Sequence, residues 1–166
     1  MPVTFYHTLE ELPEFTDYSM KGRTYRYMQQ EALYPFGYGL SYTSFALRDV
    51  KASADKIGKD GVDVTAVLKN TGDRKGAQTV QVYVKIEREG TPNAQLKGLK
   101  KIELLPGEEK EVLIHLPAEA FGLFDEEGQR RIEQGSALVY VGGQAPDARS
   151  EKLTGQKVAK LALTIE

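Results

Sequence analysis

From Thr43 to the C-terminus, apolar and polar residues alternate with a period of two, and this pattern constrains the fold more than any other feature of the chain. Val62, Val64, Ala66 and Leu68 alternate with Asp63, Thr65, Val67 and Lys69, and Val80, Val82, Val84 and Ile86 alternate with Gln81, Tyr83, Lys85 and Glu87. Each run reads as a strand with one face in a core and one in water. Further strands are expected from Phe45 to about Ser53, within 96–105 as one piece or two, over Val112–Leu116, over Ala137–Val141, and at Leu161, Leu163 and Ile165. The turns fall at NTGD (70–73), LPGE (105–108), DEEG (125–128) and Gly142-Gly143. The polar stretch ADKIGKDG reads as a loop, PAEAF (117–121) as a short helical turn opened by Pro117, and Phe121 and Phe124 as core anchors. About seven or eight short strands without a helix long enough for a βαβ unit predict an all-β, immunoglobulin-like antiparallel sandwich over 43–166.

Residues 1–42 have a different character. Seven of the nine Tyr and four of the six Phe lie at or before position 45, yet neither period survives across 13–32. Such a segment has no core of its own, so its rings must pack on something else or face water. PVTFYH (2–7) alternates like a short strand, and Thr8 and Glu11 have the spacing of a capping box that Pro13 limits to about one turn. LYPFGYGLSYTSF (33–45) joins this extended arm to the strands. Its Pro35 biases Tyr34 toward extended geometry, and Gly37 and Gly39 are both expected to be turn glycines whose replacement by Val harms folding or docking.

Charge and composition exclude several functions. A net charge of -2 and a pI near 5.8 give no electrostatic footprint for nucleic acid or an anionic membrane. The absence of Cys removes disulfides and thiolate chemistry, no run approaches a membrane span, and MPVTFYHTLEEL has neither the basic nor the apolar region of a signal peptide.

No catalytic site is expected. Glycoside hydrolysis by the usual route needs two carboxylates about 5 to 10 Å apart in a pocket. Asp125, Glu126 and Glu127 instead occupy a hairpin tip, and Glu108, Glu109 and Glu111 follow another turn. His7 lies in the arm and His115 on the polar side of a strand, and two histidines without Cys or an acidic cluster do not predict a zinc site. GYGLSYT lacks the third glycine and the lysine of a phosphate loop. KGRTYRYM (21–28) reads as arm packing. The expectation is therefore no catalytic, substrate-binding or metal-ligating residue and no cofactor.

PVTFY (2–6), DYSMKGRTYRYM (17–28), LYPFGYGLSYTSF (33–45), KNTGDRKGAQTVQVYV (69–84), LKGLKKIELLPGEEKEV (96–112) and FDEEG (124–128) together resemble the C-terminal part of glycoside hydrolase family 3. The resemblance implies a fibronectin type III-like sandwich, in agreement with the strand pattern. It also implies a parent β-glucosidase or β-xylosidase whose nucleophile, an Asp followed by Trp, and acid/base Glu lie in upstream domains. PVTFY resembles only the last strand of the middle α/β domain, and the chain has no Trp, so both catalytic carboxylates are missing. The implied role is a non-catalytic module whose arm, residues 1–42, docks on the catalytic domains of the same glycosidase. A free-standing carbohydrate-binding or adhesion module is the alternative, although Tyr83 and Tyr140 are the strand aromatics it would have to use. A homo-oligomer with exchanged arms also stays open.

Overall fold

The computed structural model describes residues 1–166. Ten strands, β1 (Phe45–Ala52), β2 (Lys56–Ile57), β3 (Val62–Asn70), β4 (Gly76–Ile86), β5 (Gln95–Leu104), β6 (Glu109–Leu116), β7 (Leu123–Phe124), β8 (Arg130–Arg131), β9 (Gly135–Gly142) and β10 (Ala159–Ile165), form a sandwich. One sheet has the order β1-β3-β6 and the other β2-β10-β9-β4-β5, while β7 and β8 pair as a separate hairpin. The two inner faces meet in one core of 19 buried residues. Val62, Val64, Leu68, Val112, Ile114 and Leu116 come from the first sheet, and Val80, Val82, Val84, Val139, Val141 and Leu163 from the second. Each such side chain contributes about 1.5 to 3 kcal/mol by leaving water. In β3 the strict alternation of sequence appears as strict alternation of burial.

Several local expectations are corrected. The loop ADKIGKDG contains β2, whose Ile57 is buried and which pairs in parallel with β10, so the second sheet is not wholly antiparallel. A two-residue strand is too short to show a period. Residues 96–104 are one strand, with a bulge opposite Val82 and Tyr83. Phe121 is buried as expected, but Phe124 is 66% exposed, its ring beneath the Arg130 guanidinium on the β7–β8 hairpin. Pro117 lies just outside the short helical turn Ala118–Phe121 rather than within it.

Between β9 and β10 the chain forms α2 (Ala148–Thr154) where a loop was expected. Asp147 caps this helix by accepting from the Ser150 N–H at 2.8 Å, and Gly155 ends it at φ 68°. In the arm, PVTFYH forms no strand but a single bridge between Phe5 and Tyr34. Thr8 makes no capping bond to the turn Leu9–Glu11, and Glu11 instead accepts from the His7 N–H at 2.9 Å. The segment 13–32 contains one helical turn, α1 (Thr24–Tyr27). No helix is long and apolar enough to cross a membrane.

The one fully buried amide side chain of the β3–β4 turn joins the two sheets at this end. Asn70 accepts from the Thr43 hydroxyl at 2.8 Å and the Gly72 N–H at 3.1 Å, and donates to the Arg74 and Leu104 carbonyls at 2.7 and 3.2 Å. Asn70→Ala leaves these groups unpaired in a buried site, so we expect a loss of about 3 kcal/mol, read from the urea midpoint at unchanged slope.

Candidate functional site

β4 breaks the rule of one wet face. Gln81 and Tyr83 point away from the core, yet Gln81 is 6% exposed and Tyr83 fully buried. The arm covers them. The Tyr83 hydroxyl donates to Gln81 Oε1 at 2.6 Å, and Gln81 Nε2 donates to the carbonyls of Gly37 and Gly143 at 3.1 and 2.9 Å. Burial pushes the Tyr83 phenol well above its ordinary pKa.

Three further contacts fasten the arm. Tyr25 in α1 stacks on Phe36 with centroids 4.1 Å apart, meets Tyr83 edge-on at 6.3 Å, and accepts from the Leu96 N–H at 3.2 Å beside the β5 bulge. Asn93 donates from its side chain to the carbonyls of Tyr25 and Met28 at 3.0 and 2.9 Å, and from its backbone to Arg26 at 2.7 Å. From α2, Lys152 pairs with Glu31 at 2.7 Å and Arg149 Nε donates to the Leu33 carbonyl at 3.3 Å. The helix absent from the sequence-based reading is thus one of the clamps. These contacts bury Met28, Ala32 and Tyr38.

The arm's other side is bare. Leu9, Phe15, Tyr18, Leu40 and Tyr42 are each at least 84% exposed. These are large apolar side chains left in water.

Between arm and sheet lies a cleft of about 470 Å³, lined by residues of the arm, β4, β9 and α2 that include Thr4, Tyr25, Phe36, Lys85, Asn93 and Tyr140. Its two acids are committed elsewhere: Glu31 to Lys152 and Arg149, Asp147 to the helix cap.

The residues weighed for chemistry are dispersed. Asp125 stays in its hairpin, where the Arg131 guanidinium and the Gln129 N–H hold its carboxyl below the usual range, and Glu126 and Glu127 are exposed beside it. Glu108 closes its own turn on the Leu105 N–H at 2.7 Å, Glu109 pairs with Arg48 at 2.9 Å, and Glu111 faces water. His7 is exposed. His115 has a partner that its sequence position did not reveal: Asp63 lies opposite it across β3 and β6 with 2.7 Å between Nδ1 and Oδ1, both side chains about half exposed. No group of three or more His, Asp or Glu is placed to hold a metal ion.

The two connector glycines separate. Gly37 has φ +82°, and a methyl there would sit 2.6 Å from the Tyr83 hydroxyl and closer still to the Gln81 carbonyl oxygen. Gly39 faces open space with no left-handed φ, so the expectation that its replacement harms folding or docking is corrected in its folding part alone.

The fibronectin type III-like domain profile matches residues 78–145. Over 158 residues the chain is 35% identical to a xylan 1,4-β-xylosidase of Xylanibacter ruminicola, an alignment covering 93% of this chain and 18% of that protein. A β-glucosidase of Kluyveromyces marxianus is 42% identical over 137 residues, 78% of this chain and 16% of that one. Among solved structures, a β-glucosidase of Erythrobacter marinus superposes with a TM-score of 0.76 at 30% identity over 98% of this chain and 21% of its own. The chain spans about a fifth of the length of these relatives.

We expect Gly37→Ala to cost more than about 1 kcal/mol and to open the arm to protease, while Gly39→Ala stays within about 0.5 kcal/mol of the parent. The Tyr83 phenol has a raised pKa in the folded state, so its contribution to stability is intact below the unfolded value near 10 and declines as pH rises above it. Urea midpoints measured across alkaline pH should show this decline, and Tyr83→Phe should remove the phenol's share of it.

Proposed function

Because this chain belongs to glycoside hydrolase family 3 as its fibronectin type III-like C-terminal region, we propose that it is a non-catalytic structural module that stabilises the catalytic domains of a β-glucosidase or β-xylosidase. On this reading residues 1–42 are a linker arm and 43–166 the sandwich. Hydrolysis of terminal β-linked sugars belongs to the remaining four-fifths of the parent enzyme. The observation that carries the proposal is the two-sided arm. The arm is fixed on β4 at Gly37 and on α2 at Glu31, while its Leu9, Phe15, Tyr18, Leu40 and Tyr42 side chains stay in water. A docking surface held in advance loses little conformational entropy on binding.

Mixed with family 3 catalytic domains that lack this region, the chain should co-elute with them and raise their melting temperature. Phe15→Ser with Tyr18→Ser should weaken that complex at least tenfold while leaving the module's own urea midpoint within about 0.5 kcal/mol. Turnover of an aryl β-glucoside that scales with the concentration of the purified chain alone would overturn the non-catalytic reading, and a concentration-dependent dimer in light scattering would replace docking by arm exchange.

A further inference from the structure

The cleft between arm and sheet has an unusual division of its polar groups. Every charged side chain in its wall is satisfied within the protein. Lys85 Nζ donates to Thr91 O, Thr91 Oγ1 and Pro92 O at 3.0, 2.9 and 2.6 Å, Arg149 and Glu31 pair with each other, and Asp147 caps α2. The neutral groups are the ones left without a partner in the protein. Thr4 Oγ1 is the sole buried side-chain polar atom in the chain without a hydrogen-bond partner, and the Tyr140 hydroxyl and Asn93 Oδ1 make no hydrogen bond either. Burial raises the Tyr140 phenol pKa, which keeps it a neutral donor.

From this division we infer that the cleft is a binding subsite for a neutral, polyhydroxylated ligand, a single saccharide unit in chemical class. A volume of about 470 Å³ lies in the range of small-molecule sites. Tyr25, Phe36 and Tyr140 contribute apolar wall for the C–H groups of a sugar ring, and the Tyr140 hydroxyl and the Asn93 amide oxygen supply partners for its hydroxyls. An anion would meet no unpaired cation, and a cation no unpaired carboxylate. A peptide adding as an extra strand is disfavoured, since β4 lies between β5 and β9, and β9 between β4 and β10, leaving no free backbone edge at the floor. This inference does not rest on docking to the catalytic domains. The isolated chain carries the whole cleft.

The test is titration of the isotope-labelled chain with glucose, xylose, cellobiose and xylobiose, with inorganic sulfate as the charged control. Saturable shifts confined to Thr4, Tyr25, Asn93 and Tyr140 are expected with at least one sugar and none with sulfate. Tyr140→Phe and Thr4→Val should each weaken sugar binding several-fold, up to about tenfold. Glu111→Ala, exposed on β6 in the other sheet, should change nothing. Thr4→Val should leave the melting temperature of the free chain unchanged or raised, because it removes an unpaired hydroxyl. Sugar shifts that never saturate, binding untouched by both cleft variants, or tighter binding of sulfate would each overturn the inference. So would a Thr4→Val chain that loses stability without losing sugar affinity, since the hydroxyl would then be holding a structural water only.

Discussion

The burial of Tyr83 and Gln81 beneath the arm is the constraint on which the rest of the molecule depends. A central strand of a two-sheet sandwich normally has one apolar face inside and one polar face in water. Here the outer face of β4 carries a tyrosine and a glutamine that are closed off, and a buried phenol or amide without a partner costs roughly 1 to 3 kcal/mol. The chain from the Tyr83 hydroxyl through Gln81 to Gly37 and Gly143 meets that requirement only if the connector lies flat on the strand, and Gly37 is the residue that permits the approach. Arm and sandwich are therefore one folded unit at their contact.

The arm is then amphipathic in three dimensions though not in sequence. Its inner residues serve the sandwich, its outer residues do not, and the two sets are interleaved along an irregular backbone. Tyr25 is fastened to Phe36 and Tyr83, while Tyr18, seven residues earlier, is 90% exposed. Buried and exposed rings therefore alternate within one short segment without a sequence period. The rings are divided between an internal joint and the solvent-facing surface.

Much of the fold was legible because strands write a period of two into sequence. β3, β4, β6 and β9 were readable from alternation, and the core residues with them. What was hidden was hidden for physical reasons. β2 is too short for a period, and Ile57 alone could not announce it. α2 is seven residues long and its one buried residue is Ser150, so its signal lay in the cap residues Asp147 and Gly155 rather than in hydrophobicity. The absence of a catalytic constellation in the turns was readable, but the pairing of Asp63 with His115 depends on the register of β3 and β6, which no linear spacing encodes. The cleft could not be foreseen at all: Thr4, Lys85 and Tyr140 become neighbours only once the arm folds back. Likewise Gly37 and Gly39 look alike in sequence and differ only in what stands opposite.

The most direct measurement of the central claim is amide hydrogen exchange on the isolated chain. The N–H groups of Phe5, Leu33, Gly37 and Asn93 donate to Tyr34, Phe5, Met1 and Arg26, and all four lie in or against the arm. If the arm is held by the outer face of β4, these amides are protected in the parent chain and lose protection together in Tyr83→Ala, while the β3–β6 amides keep theirs. Arm amides that exchange at the rate of an unstructured peptide in the parent chain would contradict the account.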